Sequence, residues 1–348
     1  MRPRVVVDAD VLGRERTGDE THVSSLLAHL PSLDEGISFA AVTRRPQLVP
    51  AGVEAVELPA RSQPVRMALT LPRTLRRLRP DLTHFQHVVA PGTRSATVVT
   101  VHDLSFERNP RLMSRRDRFF FRTMVPRSAK RADRVLAVSQ QTKRDLVELY
   151  GIRDEKIVVT PNGIDEVFGT DGPRQDGRPY LLFVGALQPR KDPLAAIEAL
   201  ALTRSDLRLV VAGPDRGSGD DAREAAVRHG VAERVEFVGH VAKEELARLY
   251  RGAEALVFPS RYEGFGLPVV EAMASGTPVV AAAAGAVPEV AGGAAILVDP
   301  GDTTALADGI ERAIANRERL VRAGLEQAER FNWAETARRT IAVYRELL

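Results

Sequence analysis

The stretch from Leu256 to Val280, LVFPSRYEGFGLPVVEAMASGTPVV, constrains the fold of this chain more than any other. It reads as a short apolar strand, a polar turn, a helix and a second apolar strand, which is typical of a parallel sheet covered by helices. Pro268 suits the first helical turn, because the N–H that proline lacks would have no partner within the helix there. The stretch therefore predicts a strand–loop–helix unit of an α/β fold.

The loop of this unit suits a ligand that carries both phosphate and sugar groups. Gly264 and Gly266 allow close approach of the backbone, and the amides that lead to Leu267 at the helix start favour an anion. Glu263 and Glu271 frame the loop, and carboxylates accept hydrogen bonds from sugar hydroxyls. The combination predicts a nucleotide sugar, which has a diphosphate between two sugars.

The same stretch resembles the donor-site motif of retaining glycosyltransferases of the GT-B fold, in the family 4 group. Seven residues separate Glu263 from Glu271, GFGLP lies between them, and EAMASGTPVV follows. An isolated pair of glutamates at this spacing would indicate only two solvated side chains on a Gly/Pro-rich connection. The whole string favours the resemblance, which covers most of the chain and is strongest from Tyr180 to Asp299.

The expected fold is α/β: two doubly wound, Rossmann-like parallel-sheet domains that face each other across a cleft. The resemblance implies this GT-B architecture, and strand and helix signals alternate in both halves. We expect an N-terminal acceptor-side domain at residues 1–168, a Gly/Pro-rich linker at 169–179 and a C-terminal donor domain at 180–331. The amphipathic segment 332–348 is expected to pack back on the first domain. The length of 348 residues and 44% apolar content suffice for two cores.

Composition favours a cytoplasmic protein. The chain has no cysteine, which excludes disulfides and thiolate metal sites and fits a reducing compartment. Its first residues read as a strand that ends near Asp8, not as a signal peptide. No stretch approaches the ~20 apolar residues that span a membrane.

Basic residues are concentrated in the first half. Residues 1–170 hold 27 Lys/Arg against 20 Asp/Glu, and the segments 61–79 and 108–134 are the most basic. One interpretation is peripheral contact of these segments with an anionic inner membrane face. The other is a plain surface with an arginine-rich composition. A nucleic-acid partner is not expected, because the net charge is only +3 and aromatic residues are not interleaved with the basic ones on a strand-binding face.

Arg190 and Lys191 are the candidate diphosphate clamp. They lie between an apolar strand that ends at Gly185 and a helix that Pro193 opens, and both are positively charged at neutral pH. The alternative is a solvated basic turn. The resemblance assigns this Arg-Lys pair to the donor phosphates and places His240 near the nucleotide base.

Three residues of the first half are further candidates. His102 follows the predicted strand 97–101, and ligands bind at the carboxyl ends of parallel strands; the resemblance places it beside the donor sugar, whereas the alternative is a histidine satisfied by its own loop. Gly18 matches the glycine-rich loop of the family, although the next three residues, DET, depart from its pattern. Ser139 suits a helix cap and is also a candidate phosphate contact.

The resemblance implies a retaining hexosyl transfer. Glu271 would bind the ribose, Arg190 and Lys191 the diphosphate, and Glu263 with the amides of Gly264, Phe265, Gly266 and Leu267 the sugar; His102 would contact the sugar from the first domain. The named catalytic set is His102, Glu263, Arg190 and Lys191. Neither glutamate is assigned as a nucleophile, so front-side transfer assisted by the leaving phosphate is preferred. We expect no cofactor beyond the donor and no metal, because two cations neutralise the phosphates.

GDP-mannose is the preferred donor, and the expected acceptor is a hydroxyl of a glycan or a lipid-linked molecule. Transfer from UDP-glucose or UDP-N-acetylglucosamine stays open. So do another GT-B activity, such as nucleotide-sugar epimerisation, and a non-catalytic nucleotide-sugar binding protein, which would not require His102.

Overall fold

The structure is a computed structural model that describes residues 2–14, 17–59, 62–203 and 206–348, without the side chain of Thr17. The chain forms two compact units, Met1–Gly163 with Asn332–Leu348, and Ile164–Phe331. The boundary thus follows Gly163, ahead of the expected position at residue 168. Residues 169–179 belong to the second unit, where Arg251 donates a 2.7 Å hydrogen bond to the carbonyl of Pro173.

The first unit is built on a parallel sheet of seven strands in the order β3-β2-β1-β4-β5-β6-β7. Most of its strands are buried over nearly their whole length, as expected when helices cover both faces. The strands are β1 (Arg4–Asp8), β2 (Ser38–Thr43), β3 (Glu54–Glu57), β4 (Leu82–Gln86), β5 (Ala96–Val101), β6 (Arg134–Ala137) and β7 (Ile157–Val159).

Helices cover both faces of this first sheet. They are α1 (Thr17–Leu33), α2 (Gln63–Val65), α3 (Leu71–Leu78), α4 (Ser105–Arg108), α5 (Arg115–Arg131), α6 (Gln140–Tyr150) and, from the end of the chain, α14 (Trp333–Leu347). The C-terminal helix α14 packs beside α1 on one face, and the hydroxyl of its Tyr344 lies 2.6 Å from Nδ1 of the buried His84. Residues 332–348 therefore complete the core of the first unit.

The arginine-rich segment after Ser62 is not one regular helix. A π-helical turn, Arg66–Thr70, joins α2 to α3, and it turns Arg66 inward instead of leaving it on the surface. Arg66 binds both carboxylate oxygens of Asp8 at the end of β1, with the shortest distance 2.6 Å. The guanidinium also lies 2.9 Å from Asp10, so the two acidic residues of the DAD sequence anchor this segment. Arg61 lies outside the described residues.

The second unit repeats the same plan with six strands in the order β10-β9-β8-β11-β12-β13. Its strands are β8 (Tyr180–Val184), β9 (Arg208–Ala212), β10 (Val235–Gly239), β11 (Ala255–Phe258), β12 (Val279–Ala282) and β13 (Ile296–Val298). Its helices are α7 (Pro193–Leu202), α8 (Gly219–Arg228), α9 (Lys243–Gly252), α10 (Leu267–Ala274), α11 (Val287–Ala291), α12 (Thr303–Ala315) and α13 (Arg317–Ala328).

Both sheets reverse their strand order next to their first strand. In the first unit the reversal lies between β1 and β4, and in the second between β8 and β11. At such a point the loops after neighbouring strands leave on opposite faces and open a crevice at the carboxyl ends. The loops after β8 and β11, and those after β1 and β4, are therefore where each unit can bind a ligand.

Candidate functional site

Two loops at the reversal point of the second sheet are tied together by hydrogen bonds. The backbone N–H of Arg261, after β11, donates to the carbonyl of Arg190, after β8, at 2.9 Å. The Arg190 guanidinium donates in return to the carbonyl of Tyr262 at 2.8 Å. Arg261 also donates to Asp192 at the start of α7, at 2.7 Å. These bonds fix the relative position of the candidate clamp and the loop that carries Glu263.

Glu263 is held between the two cations of the candidate clamp. Its carboxylate accepts from Lys191 Nζ at 2.5 Å and from Arg190 Nη1 at 3.1 Å, and only 8% of its side chain is exposed. Burial alone would raise the pKa of Glu263, but the charges of Lys191 and Arg190 lower it to about 2. The triplet is thus ionised at neutral pH and carries a net positive charge.

The side chain of Lys191 runs past Gly185 at the end of β8. A Cβ at position 185 would lie 3.4 Å from Lys191 Cδ, and the φ of Gly185 is +153°. The ammonium group lies 5.3 Å from the centre of the Phe258 ring, which adds a cation–π contact. The backbone conformation of Gly185, rather than a lack of space for a Cβ, is what favours glycine at this position.

Helix α10 begins beside this triplet. Gly266 precedes it with φ of +101°, a conformation that favours glycine, and Pro268 lies in its first turn, as the sequence predicts. Gly264, Phe265 and Leu267 are buried, and the Phe265 ring packs edge-on against Phe331 at 5.4 Å. Phe265 thus offers a ligand its backbone rather than its ring.

Glu271 lies one turn into α10 and has a different environment from Glu263. The hydroxyl of Tyr250, a fully buried residue of α9, donates to its carboxylate at 3.0 Å. Burial raises the pKa of Glu271 to about 7, while the Tyr250 hydrogen bond and the charges of Lys243 and Lys191 act in the opposite direction. Asp165 adds to the rise. Glu271 is therefore poised to change its charge near neutral pH.

The three remaining candidates of the donor-binding set are exposed residues or a helix cap. His240 follows β10 and is exposed. Ser139 is fully buried and caps α6, where its hydroxyl accepts from the N–H of Thr142 at 3.0 Å and donates to the Thr142 hydroxyl at 3.1 Å. Gly18 lies in the first turn of α1 and is exposed, and a Cβ at this position would meet no described atom within 4 Å. Ligand contacts from these three residues stay predictions.

His102 lies in a cluster of histidines at the reversal point of the first sheet. It follows β5, is 7% exposed, and its Nε2 lies 2.8 Å from Oε1 of Gln86 at the end of β4. The rings of His22 and His87 lie 4.8 Å and 5.1 Å from it. Burial first, and then these two histidines, hold the pKa of His102 well below its usual range. His102 is accordingly neutral at pH 7.

Sequence reasoning missed most of this cluster. His22 and Asp19 lie on α1, and His87 follows β4, so two separate segments supply the groups around His102. Asp19 places a carboxylate oxygen 3.8 Å from His87 Nε2 and another 3.9 Å from His102 Nδ1. The available signal was weak: histidines that follow or flank several predicted strands at their carboxyl ends. Tyr250 was also missed, because a helical tyrosine among apolar residues resembles a core residue.

Two doubly wound parallel sheets, one in each unit, define a two-domain protein of the GT-B fold class. Comparison with known families extends this. Residues 16–168 match the family described as Glycosyltransferase Family 4, and residues 170–331 match Glycosyl transferases group 1. The chain belongs to the family 4 group of glycosyltransferases. This match confirms the predicted family. The predicted GT-B fold class of two parallel-sheet domains is also confirmed, and so, at the level of the family, is the assignment to transferases.

Curated relatives have glycosyltransferase names. The D-inositol 3-phosphate glycosyltransferase of Nocardia farcinica is 37% identical over 236 residues, which are 61% of this chain and 52% of that protein. The O-antigen chain mannosyltransferase B of Escherichia coli is 28% identical over 291 residues, covering 78% and 76%. The aligned region thus spans about half the length of the first of these relatives.

Solved structures share the fold at lower identity. The sucrose-phosphate synthase of Thermosynechococcus elongatus aligns over 100% of this chain and 99% of its own, with a TM-score of 0.81 and 22% identity. HepE of Anabaena, solved with UDP and glucose, aligns over 100% of both chains with a TM-score of 0.77 and 19% identity. At these identities the similarity establishes the fold alone.

Proposed function

We propose that this protein is a retaining glycosyltransferase that moves a hexose from a nucleoside diphosphate to a hydroxyl of a glycan or lipid-linked acceptor. The observation that carries the proposal is the Glu263 carboxylate held between Arg190 and Lys191 at the reversal point of the second sheet. Two cations and one carboxylate leave a net positive charge in a partly desolvated loop. Such a group suits a ligand that presents phosphate next to a hydroxylated ring.

The donor diphosphate would bind the clamp and the start of α10. Arg190 and Lys191 would share their charge between Glu263 and the phosphate oxygens, and the amides from Gly264 to Leu267 would contact the sugar. Glu263, ionised at neutral pH, would accept hydrogen bonds from sugar hydroxyls. Because both cations are already held in place by Glu263 in the free protein, little reorganisation is needed when the donor binds.

Glu271 would accept hydrogen bonds from the ribose hydroxyls. This carboxylate is oriented by Tyr250 and lies on the same helix whose start faces the diphosphate. A carboxylate that accepts two hydroxyl hydrogen bonds gains more when it is ionised, since charged acceptors form the stronger bonds. Donor binding should therefore favour the ionised form of Glu271.

Transfer would proceed on one face of the sugar. The bond from the anomeric carbon to the leaving phosphate oxygen breaks, the bond to the acceptor oxygen forms on the same face, and the acceptor proton passes to the leaving phosphate. Arg190 and Lys191 would stabilise the charge that develops on the diphosphate, so that a metal ion is not required. His102 of the first unit would contact the transferred sugar as a neutral hydrogen-bonding group.

Mannose from GDP-mannose is the donor that we favour. The Escherichia coli relative is described as a mannosyltransferase, and it aligns over more than three quarters of both chains. Donors based on UDP are the alternative, because HepE was solved with UDP-glucose. The name of the Nocardia relative adds a phosphorylated polyol as a possible class of acceptor.

Peripheral contact with the inner face of a membrane is part of this proposal, and with it a cytoplasmic location. On α5, Phe119 is 74% and Phe120 41% exposed among exposed arginines, and the π-helical turn before α3 exposes 47% of Leu69. Apolar groups surrounded by cations suit an anionic lipid surface. Among the described helices, none has the length and apolarity needed to cross a bilayer.

The test is a screen of purified protein with GDP-mannose, UDP-glucose, UDP-N-acetylglucosamine and ADP-glucose, with and without EDTA. Binding is measured by calorimetry, and slow hydrolysis or transfer by nucleotide release. We expect one donor to bind and turn over in EDTA, and Lys191→Ala to lose both properties, while Lys143→Ala, in an ion pair with Asp154 in the first unit, retains them. Binding of a donor without turnover would favour the non-catalytic alternative, and binding that ignores Lys191 would contradict the proposed site.

A further inference from the structure

We propose that Asp19, His87 and His102 form a binding site for a divalent transition-metal ion, Zn²⁺ in the first place. We further propose that the bound ion inhibits transfer by occupying the nitrogen of His102 that faces Asp19. The site itself stands on the geometry of the first unit alone. Its inhibitory effect rests on the proposed function, in which His102 contacts the sugar.

The three side chains converge without bonding to one another. One ligand atom from each lies within 4.8 Å of the other two, and the Asp19 oxygens are 3.8 Å from His87 Nε2 and 3.9 Å from His102 Nδ1. These separations are too long for hydrogen bonds. An ion bound at ~2.0–2.2 Å from each atom would require ligand atoms about 3.3–3.6 Å apart, which a small inward shift of Asp19 and the two rings provides.

His102 already has the orientation of a metal ligand. Its Nε2 lies 2.8 Å from Oε1 of Gln86, so this nitrogen carries the proton and donates, and the lone pair is left on Nδ1, which faces Asp19. Metal-bound histidines usually donate their other ring N–H in this way, which fixes the ring and its tautomer.

His87 reaches the site from a strained backbone. Its φ of +57° lies in the left-handed region, which residues other than glycine rarely adopt, and its N–H donates to the carbonyl of Thr100 at 2.8 Å. Strain of this kind is found where the surrounding structure holds a residue for a ligand or for catalysis. Here the conformation turns the imidazole toward His102 and Asp19.

A third imidazole, that of His22, lies beside the three ligands. His22 is fully buried, its ring meets that of His102 edge-on at 4.8 Å, and its Nδ1 bonds to Asn162 at 2.8 Å. Its Nε2 is buried and has no hydrogen-bond partner in the described part of the chain. An unpaired buried nitrogen is costly, and this one belongs to a ring that packs against a proposed ligand, His102.

The donor set selects the class of ion. Two imidazoles and one carboxylate suit Zn²⁺, Co²⁺ and Ni²⁺, whereas Mg²⁺ and Ca²⁺ prefer sites made of oxygen atoms. Asp19 is 33% exposed on its side chain, so an ion can enter from solvent and keep a water molecule as its fourth ligand.

The first experiment measures binding without reference to activity. Protein stripped with EDTA and dialysed is titrated with ZnCl₂ by calorimetry, and the zinc content is determined after gel filtration. We expect one ion per chain in the wild type and in His229→Ala, which changes a histidine of the second unit that lies 3.8 Å from Glu198. His87→Ala and Asp19→Asn should weaken binding by more than about tenfold.

Co²⁺ provides a second readout of the same site. The wild type should show the visible absorption of a nitrogen-bound, four-coordinate cobalt ion, and His87→Ala should lose it. Absence of stoichiometric zinc in the wild type, or equal binding by His87→Ala, Asp19→Asn and the wild type, would overturn the site. Far-ultraviolet circular dichroism of each variant separates ligand loss from unfolding.

The inhibitory effect is tested with the donor that the screen identifies. Added Zn²⁺ should lower turnover of the wild type and of His229→Ala, and residual turnover of His87→Ala should resist the same concentration. Zinc binding without inhibition of the wild type would overturn the inhibitory role while leaving the site. If no donor is turned over, the proposed function fails, and the calorimetric result for zinc still decides the site.

Discussion

The charged triplet of the second unit and the histidine cluster of the first unit present different chemistry at the carboxyl ends of their parallel sheets. In the second unit, a buried carboxylate is ionised and paired with Arg190 and Lys191 at 3.1 Å and 2.5 Å. In the first unit, His22, His84 and His102 are buried, and burial lowers the pKa of each. The triplet of the second unit therefore consists of paired charges, and the histidine cluster of the first unit consists of neutral imidazoles. The buried ion pairs of Arg66 with Asp8 and Asp10 lie apart from this cluster, at the end of β1.

This difference indicates that the two units suit different ligand groups. Paired charges with a net positive sum suit a phosphate ligand, whose charge they can match. Neutral imidazoles suit contacts to hydroxyls or to a transition metal, and would give a diphosphate little electrostatic attraction. Substitutions in each unit test whether the charged triplet and the histidine cluster differ in effect as they do in structure.

The largest effect is expected when the charged triplet loses its carboxylate charge. Glu263→Gln keeps the shape of the side chain but removes the counter-charge of Arg190 and Lys191 and the strong acceptor for sugar hydroxyls. We expect turnover to fall about 10²–10³-fold, by analogy with the removal of one group that stabilises charge in a transition state. Steady-state kinetics on the identified donor measure this, and Glu233→Gln, an exposed residue of the same unit, should be unchanged. Wild-type turnover by Glu263→Gln would contradict the role of the triplet.

The same triplet should make the free energy of unfolding of the second unit depend on pH in the acidic range. The pKa of Glu263 is about 2 in the folded protein against a usual 4.5, so the ionised form stabilises the folded state above pH 4.5. This contribution is lost as the pH falls from 4.5 toward 2, and the shift corresponds to on the order of 3 kcal/mol.

Urea unfolding of the wild type and Glu263→Gln between pH 3 and pH 7 tests this contribution. The difference in free energy of unfolding between the two proteins should shrink as the pH falls. A difference that is constant over this range would show that the ion pair contributes no such stability.

Within the histidine cluster, the expected effect is on stability and not on charge. Tyr344→Phe removes the hydroxyl that lies 2.6 Å from Nδ1 of the fully buried His84, and leaves this nitrogen without its partner. We expect a loss of about 1–3 kcal/mol in the free energy of unfolding. Denaturant titration of the whole chain measures it, with donor affinity as the control that should stay unchanged. An unchanged free energy of unfolding would mean that His84 finds another partner.

The smallest effect is expected at Tyr250, which acts through Glu271. Tyr250→Phe removes the hydroxyl that donates to the carboxylate at 3.0 Å, and the pKa of Glu271, about 7 in the wild type, should rise further. Since ionised Glu271 is the better hydrogen-bond acceptor for the ribose, nucleotide affinity should decrease as the pH falls through 7. In the variant, the pH at which half of this decrease has occurred should be higher. At pH 7 we expect affinity to fall about two- to tenfold.

Tyr180→Phe is the matched control for this prediction. It removes another buried hydroxyl of the second unit, which donates to the carbonyl of Leu249 at 2.7 Å and does not bond to Glu271. Both variants should lose similar stability, but only Tyr250→Phe should shift the pH profile of nucleotide binding. The same shift in both would assign Tyr250 a purely structural part.

The charged triplet could be predicted from the sequence because its members lie in two short motifs. Arg190, Lys191 and Glu263 each follow an apolar strand and precede a proline-initiated helix, so local signals place all three at one edge of a sheet. What the sequence did not indicate is that Glu263 bonds directly to both cations. That contact depends on how the two loops pack, which is not a local property.

The histidine cluster could be predicted only in part. The end of a strand places His102, but Asp19, His22 and His87 come from a helix and another loop, and no spacing rule links them. The burial of Arg66 was likewise missed, because the basic segment 61–79 was interpreted as a surface, and composition does not show that a π-helical turn lies there. Long-range pairing of buried polar groups thus cannot be predicted from the periodicity of the sequence.

The most direct test of the charged site compares a nucleotide with its nucleoside by calorimetry. GDP and guanosine, together with UDP and uridine, are titrated into the wild type and Lys191→Ala. We expect one nucleoside diphosphate to bind the wild type much more tightly than its nucleoside does. This difference in affinity should be largely lost in Lys191→Ala. A diphosphate that binds both proteins equally, or no better than its nucleoside, would contradict the assignment of the second unit to the donor.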